Sequence, residues 1–304
     1  MSRTILVSSM VAAAAIAAMA MAGCSDNANP FSGGLDGDIQ GAPDAAKGTP
    51  DGGPTETPDG GVRACPAKPK RLIILGDSIT NCTVIGGPNS ADCVSKQFYD
   101  YVKSKYAADV QYVNAAVGGA QTAGIKQQMD GLQTGMPGHV MVMLYIGGND
   151  LAPYIFQSDA AAMMAYEQIM PGIKANWDGI FAFFNDTTKF PDGATIVMNN
   201  QYNPFDDCTA APYNLSQLKS NLLHMFNVVL QDFANEHFAN TIIVDQYKPY
   251  LGHGHHYNVS TCPHYMAGAT PFMKDLIHAN ADGNKALAAQ MEHALDALFT
   301  DCTP

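Results

Sequence analysis

Segments with the pattern of buried strands alternate with segments of helical periodicity, and this alternation leaves the chain few architectures. The strand-like runs are 71–75, 110–117, 139–150, 194–201 and 240–247. The helix-like runs are 94–107, 124–133, 159–184, 215–237 and 284–299. The first run, 71–75, contains four apolar residues in a row, which favours a strand buried on both faces. The sequence therefore predicts a five-stranded parallel sheet with helices on both faces, a flavodoxin-like α/β/α sandwich that binds ligands at the carboxyl ends of its strands.

Composition divides the chain into three parts. Residues 1–23 have the pattern of a secretory signal, in which Arg3 precedes a long apolar run that ends in small residues. Residues 24–64 contain 14 glycines and prolines and few large apolar side chains, which predicts a flexible tether. The folded domain is expected over residues 65–304.

The junction between the first two parts is informative. Cys24 directly follows Ala22 and Gly23, and this arrangement resembles the lipobox of bacterial lipoproteins. The resemblance implies cleavage before Cys24 and lipidation of its thiol. Because Ser25 follows, it also implies anchoring in the cell envelope, at the outer membrane of a Gram-negative bacterium. An ordinary cleaved signal with an incidental cysteine is the alternative.

Charge and cysteine content limit the partners and the compartment. The net charge of −12 and the lack of a basic run argue against a nucleic-acid partner. Apart from Cys24 the chain has six cysteines, and an even number in an exported domain predicts three disulfides. We expect Cys82–Cys93 to close a short loop, Cys208–Cys262 to join two long loops, and Cys65–Cys302 to join the two ends of the domain. Other pairings stay open on sequence alone.

Four short motifs fall at the ends of the first three strands and before the last helix. They are Gly76-Asp77-Ser78, Gly118-Gly119, Gly147-Gly148-Asn149-Asp150, and Asp275 with His278 three residues later. Each motif alone is typical of a turn or a helix cap. Because the carboxyl ends of parallel strands share one edge of the sheet, their joint placement predicts a single site, with Ser78 as a candidate nucleophile.

This joint pattern resembles the SGNH, or GDSL, hydrolases, a family of serine esterases and lipases, over residues 71 to about 299. The resemblance implies a nucleophile at Ser78, a general base at His278 and its carboxylate partner at Asp275. It also implies an oxyanion hole made by the backbone N–H groups of Ser78 and Gly119 and the side-chain amide of Asn149, with Gly118 as the alternative to Gly119. No cofactor and no metal are expected.

The chemistry accounts for these residue types. A serine hydroxyl attacks a carbonyl well only when a base accepts its proton, and imidazole titrates near neutral pH. A carboxylate fixes the tautomer of that imidazole, and preformed N–H donors stabilise the oxyanion of the tetrahedral intermediate.

The expected protein is thus a secreted, lipid-anchored serine esterase. It would hydrolyse small-molecule or lipid carboxylic esters through an acyl-enzyme, as a lipase or lysophospholipase does. One alternative is a carbohydrate O-acetylesterase acting on acetylated polysaccharide. Another is a non-catalytic surface lipoprotein that binds a ligand, against which Ser78, Asn149 and the Asp275/His278 pair argue.

A histidine-rich segment, 251–258, suggests a metal site through His253, His255 and His256, with His264 beyond. No neighbouring Glu or Cys pattern completes such a site. We therefore interpret the segment as a loop that lines the substrate cleft.

Overall fold

The computed structural model of the protein describes residues 65–300. The predicted signal, the tether with Cys24, and Cys302 lie outside the described residues, so the expectations about them stay predictions. Five parallel strands form one sheet in the order β2-β1-β3-β4-β5. The strands are β1 (Arg71–Gly76), β2 (Gln111–Asn114), β3 (Val140–Tyr145), β4 (Ala194–Asn199) and β5 (Thr241–Val244).

Helices connect successive strands. They are α1 (Ser78–Asn81), α2 (Val94–Lys105), α3 (Ile125–Asp130), α4 (Gly148–Leu151), α5 (Asp159–Asn185), α6 (Gln217–Glu236) and α7 (Ala281–Thr300). Among the helices of the described part of the chain, none combines the length and the hydropathy that a bilayer-spanning segment needs.

The sheet is buried between two apolar layers because successive side chains of a strand point to opposite faces. Ile73 and Leu75 of β1 pack in the layer that contains α3, α5 and α6. Leu72 and Ile74 pack in the layer that contains α2 and α7. The predicted flavodoxin-like α/β/α sandwich is confirmed, and all five strands end at the same edge of the sheet.

The structure differs from the sequence expectations mainly at the carboxyl ends of the strands, and two of these differences lie at predicted motifs. β2 ends at Asn114, three residues before its predicted end, because the Asn114 carboxamide bonds the backbone N–H of Ala116 at 3.0 Å and the Thr80 carbonyl at 3.0 Å. β3 ends at Tyr145, and the following residues turn into α4 instead of extending the strand. Both changes leave short turns where the predicted motifs lie.

Candidate active site

Ser78 is the first residue of α1, immediately beyond β1. The turn between them requires Gly76, since a Cβ there would lie 2.3 Å from the carbonyl oxygen of Tyr145. The Asp77 carboxylate caps α1 by accepting the backbone N–H of Ile79 at 2.9 Å. Ser78 is thereby held partly exposed at the edge of the sheet.

The Asp77 carboxyl group is 2 % exposed. Desolvation raises its pKa from 3.8 to about 7, although the N–H of Ile79 opposes the shift and the charge of Asp150 adds to it. A buried acid thus lies directly before the serine and is close to half-protonated at neutral pH.

Ser78, His278 and Asp275 form a continuous hydrogen-bonded chain across 200 residues of sequence. The Ser78 hydroxyl lies 2.9 Å from Nε2 of His278 and can donate its proton there. The His278 Nδ1–H group lies 2.8 and 2.9 Å from the two carboxylate oxygens of Asp275. The structure therefore brings together the three residues proposed as nucleophile, base and orienting acid, with the spacing that this chemistry needs.

The Asp275 carboxylate is set up as an acceptor by its own turn. Desolvation raises its pKa, but the backbone N–H groups of His278 and Ile277 and the imidazole of His278 outweigh that effect, and the pKa lies below its ordinary value. Asp275 is therefore ionised at neutral pH and can stabilise a positive charge on the imidazole.

The turn after β2 lies beside the serine. A Cβ on Gly118 would be 4.0 Å from Cβ of Ser78. Gly119 has φ +78°, a conformation that favours glycine, and a Cβ there would meet none of the described protein atoms within 4 Å. Backbone conformation, and not crowding, accounts for glycine at position 119. Its N–H as an oxyanion donor stays a prediction.

Asn149 faces the same cleft as Ser78. Its side-chain amide donates one N–H to the carbonyl of Ala120 at 3.0 Å. An amide nitrogen has two donors, so this bond orients the group and leaves its second N–H for a substrate oxygen. The Gln121 side chain donates to the Asn149 carbonyl at 3.1 Å, which ties α4 to the glycine turn.

Asp150 reinforces the same connection. Its carboxylate accepts the backbone N–H of Thr122 at 2.9 Å and the Thr122 hydroxyl at 2.8 Å. Desolvation raises the pKa of Asp150, and these two hydrogen bonds oppose the increase. Hydrogen bonds thus connect α4, which contains Asn149, to the segment that follows the glycine turn.

A cleft of about 990 Å³, a volume that includes its open mouth, begins at Ser78 and Asn149. It extends between the loop after α4 and the first turns of α5 and α6. Apolar side chains dominate this part of its wall: Leu151, Ala152, Tyr154, Ile155, Ala162, Tyr166, Leu215, Leu222 and Leu223. This wall could not be predicted from the sequence, because no local pattern separates helix residues that face a cleft from those that face the core.

The interpretation of segment 251–258 as a cleft-lining loop is wrong. None of its residues lines the cleft at Ser78. The ring nitrogens of its histidines contact backbone carbonyl oxygens instead: Thr270 for His253, Leu276 for His255, and Phe205 and Ala210 for His256. Within residues 65–300 no group of three potential ligands is placed to hold a metal ion.

The carboxylate of Asp206 explains where this loop goes. It accepts the backbone N–H groups of Gly252, Gly254 and His256 at 2.8–2.9 Å. These bonds hold the loop against the segment that follows β4. Asp206 carries no signal in the sequence, because its partners lie 46 to 50 residues later.

Two disulfides join loops of the site region. Cys82–Cys93 connects the end of α1 to the start of α2, and Cys208–Cys262 connects the loop after β4 to the loop after β5. Both pairs agree with the sequence expectation. Cys65 is also disulfide-bonded, but its predicted partner lies outside the described residues.

Comparison with known proteins places this geometry in context. A family model described as GDSL-like lipase/acylhydrolase matches residues 72–291. Among curated proteins none matches the chain.

Solved structures with a similar fold include phospholipase A1 from Streptomyces albidoflavus NA297, at 17 % identity and a TM-score of 0.52, over 73 % of this chain and 98 % of that one. An extracellular lipase from Streptomyces rimosus has 17 % identity and a TM-score of 0.51, over 74 % and 99 %. The acetylxylan esterase Axe2 from Geobacillus stearothermophilus has 17 % identity and a TM-score of 0.50, over 74 % and 94 %. At these identities the likeness establishes the fold.

Proposed function

Because the chain belongs to the family of GDSL-like lipases and acylhydrolases, and is therefore a carboxylic ester hydrolase, we propose that Ser78, His278 and Asp275 are its catalytic residues. The Ser78 oxygen attacks the ester carbonyl while Nε2 of His278 takes the hydroxyl proton. Asp275 holds Nδ1–H and stabilises the imidazolium. The proton then passes to the alcohol as its bond to the acyl carbon breaks, which leaves the acyl group on Ser78. Water then gives its proton to His278 and attacks this acyl-enzyme. The acid is released, and the proton returns to the serine.

The oxyanion formed in each half-reaction is stabilised by the N–H groups of Ser78 and Gly119 and by the Asn149 amide. The assignment of Asn149 is supported by its place beside Ser78 in the cleft and by the hydrogen bond that orients its amide. Gly119 is supported by its place in the turn after β2, directly after Gly118, where an added Cβ would lie 4.0 Å from Cβ of Ser78. Such donors act mainly on the transition state, where the negative charge develops.

The substrate we propose is an ester with an extended apolar acyl chain, as in a lysophospholipid or another small lipid. The observation that carries this proposal is the apolar wall of the cleft, which begins at the nucleophile and continues to α5 and α6. Burying each additional methylene group of an acyl chain against such a wall stabilises binding by about 0.8 kcal/mol.

A carbohydrate O-acetylesterase needs room for only a two-carbon acyl group, and it would leave most of this wall without a substrate partner. The family membership supports turnover rather than ligand binding alone. The lipid esterase is therefore the function that the geometry supports best.

We further propose that the mature protein is attached to the cell envelope through a lipid on Cys24, at the outer membrane of a Gram-negative bacterium. The signal pattern of residues 1–23 and the composition of residues 24–64 support this proposal. A flexible tether would let the domain reach esters at or near the membrane surface.

A chain-length series tests the proposed substrate. Purified domain and a Ser78→Ala variant would be assayed on p-nitrophenyl acetate, butyrate, octanoate and palmitate, on lysophosphatidylcholine, and on acetylated xylan. We expect kcat/KM to rise from acetate to octanoate and the variant to be inactive. A maximum at acetate together with release of acetate from xylan would favour the carbohydrate esterase. Equal activity of parent and variant would exclude Ser78 as the nucleophile.

A further inference from the structure

The segment from Asp275 to His278 is a tight turn whose N–H groups are directed inward. The backbone N–H groups of Ile277 and His278 both donate to Oδ1 of Asp275, at 3.1 and 2.9 Å. The same carboxylate receives Nδ1–H of His278. Both N–H groups of the two peptide units between Leu276 and His278 are therefore bonded to the carboxylate of Asp275.

The carbonyl groups of these two peptide units are bonded from outside the turn. Nε2 of His255 lies 3.1 Å from the Leu276 carbonyl oxygen. The Tyr202 hydroxyl donates to the Ile277 carbonyl oxygen at 2.5 Å. All four polar groups of the two peptide units are thus bonded, and the two outer partners come from different loops, after β5 and after β4.

His255 is itself held in place. Its backbone N–H donates to the Pro204 carbonyl at 2.8 Å. Its ring packs against the rings of Tyr213 and Phe205, with centroids 4.6 and 5.7 Å away. On either side of it, the N–H groups of the loop donate to the buried Asp206 carboxylate. The imidazole is therefore a rigid donor rather than a mobile surface group.

Tyr202 is equally constrained. Its ring stacks on Tyr250 with centroids 4.2 Å apart. Desolvation raises the pKa of Tyr202 well above its ordinary value, so the hydroxyl stays protonated and remains a donor. Its hydrogen bond to the turn persists at any pH at which the enzyme would be assayed.

We propose that His255 and Tyr202 are positioning residues, which hold the Asp275–His278 turn so that Nε2 of His278 stays within 2.9 Å of the Ser78 oxygen. Tyr202 also lines the cleft, but the contact that both residues make with the proposed catalytic residues is to the backbone that carries the base. Proton transfer from the serine depends steeply on this distance, and a displacement of about 1 Å is enough to lower a rate by about 100-fold.

The proposal makes a specific chemical demand on His255. A carbonyl oxygen only accepts hydrogen bonds, so Nε2 of His255 must carry a proton. The Nε2–H tautomer and the imidazolium both satisfy this demand. A glutamine side chain places an N–H near the same point, whereas phenylalanine fills the space of the ring without a donor.

The experiment compares His255→Phe, His255→Gln and a matched control, His253→Phe. His253 lies on the same loop, bonds the Thr270 carbonyl and stacks on Phe272, but does not contact the Asp275–His278 turn. On p-nitrophenyl butyrate we expect His255→Phe to lower kcat by about 10- to 100-fold, with KM changed by less than about twofold. We expect His255→Gln to retain most of the parental kcat and His253→Phe to retain all of it.

Parental kcat in His255→Phe would overturn the proposal. So would an equal loss of kcat in the Phe and Gln variants, because the role would then be general stability of the loop. If His255→Phe fails to fold, Tyr202→Phe decides, since it removes only a hydroxyl and keeps the ring stack. We expect it to lower kcat by about tenfold, and an unchanged kcat would count against the proposal.

The inference rests on the proposed serine esterase chemistry, and the Ser78→Ala variant separates the two failures. Activity that survives in Ser78→Ala would refute the proposed mechanism itself. An inactive Ser78→Ala together with fully active His255→Phe and Tyr202→Phe variants would refute only the positioning role.

Discussion

At the scale of single residues, the proposed function would give Asn149 both a structural and a chemical role through one amide group. One N–H bonds the Ala120 carbonyl, and this bond fixes the direction of the other toward the cleft. A donor held in this way needs no reorganisation when negative charge develops on the substrate oxygen, which is why such groups contribute strongly to catalysis.

We expect Asn149→Ala to lower kcat by about 10²- to 10³-fold, with a smaller change in KM, because the lost donor acts on the transition state. Steady-state kinetics on p-nitrophenyl butyrate measure the effect. Asn221→Ala, at an exposed position on α6, serves as the control and should match the parent. A loss in Asn149→Ala of less than about threefold would remove Asn149 from the oxyanion hole.

A second residue-scale prediction concerns the buried Asp77. Its pKa is raised from 3.8 to about 7, so between these values the folded protein binds a proton that the unfolded chain has released. The stability that this group contributes is therefore complete below about pH 4 and is lost as the pH rises through 7. Asn at this position keeps an acceptor for the N–H of Ile79 but cannot ionise.

We expect Asp77→Asn to gain stability relative to the parent by about 2–4 kcal/mol between pH 4 and pH 8. Urea unfolding of both proteins at the two pH values gives the difference. The exposed Asp92→Asn is the control for the loss of one acidic side chain. If the Asp77→Asn difference did not change between the two pH values, the carboxyl group of Asp77 would not be protonated in the fold.

At the scale of secondary-structure elements, α5 and α6 would determine the size of the proposed acyl site. Residues from the first turns of both helices line the cleft, and Ala162 of α5 is a small, buried residue in its wall. Enlarging this side chain shortens the space available to an acyl chain without touching Ser78 or its partners. The consequence should be a change in substrate preference instead of a general loss of activity.

We expect Ala162→Leu to lower kcat/KM for p-nitrophenyl octanoate by about tenfold and to leave the value for acetate nearly unchanged, since a change of this size in an apolar pocket alters binding by about 1–3 kcal/mol. Ala160→Leu, at an exposed position of the same helix, should behave as the parent for both esters. An equal effect on the two esters would show that the acyl chain binds elsewhere.

Elements also show why some parts of the protein could be predicted from sequence and others could not. The strands were predictable because apolar runs are a local signal. Ser78 and Asn149 were predictable because they follow such runs at short range, and His278 because it precedes the last helix. The bond from His255 to Leu276 was not predictable. It depends on the position of segment 251–258. Hydrogen bonds from backbone N–H groups of this segment to the Asp206 carboxylate, which lies 46 to 50 residues earlier in the chain, fix that position. Backbone groups leave no signal in the sequence.

The glycine turn illustrates an intermediate case. The sequence marks Gly118 and Gly119 as a turn but does not explain why glycine is needed there. The structure shows a positive φ at Gly119 and open space around its Cβ position. A requirement for backbone conformation and a requirement for space look the same in a sequence, and only coordinates separate them.

At the scale of the whole molecule, the proposed arrangement places an acidic catalytic domain at the end of a flexible tether. The anchor and the domain then have separate roles: the lipid on Cys24 sets the location, and the residues from 65 onward carry the chemistry. A substitution at Cys24 should accordingly change the location of the protein without changing its kcat.

We expect Cys24→Ser to move the protein from the membrane fraction to the soluble fraction of cells, because a serine cannot carry the thioether-linked lipid. The kcat on p-nitrophenyl butyrate should stay that of the parent, since Ser78, Asp275 and His278, the proposed catalytic residues, lie far along the chain from Cys24. Fractionation followed by immunoblotting and an assay of each fraction measures both quantities. Ser25→Ala is the matched control and should remain at the membrane; unchanged partitioning of Cys24→Ser would exclude lipid attachment at this thiol.

The two disulfides of the described region have a consequence for the cell that makes the protein. One closes the segment that follows Ser78, and the other joins the loop of Asp206 to the loop of His255. In a reducing cytoplasm both links would be open, and the residues proposed to meet at the ester would be less firmly held. If the protein is exported and acts on lipid esters, as proposed, oxidation after export would then act as the maturation step and would spare the internal lipids of the producing cell.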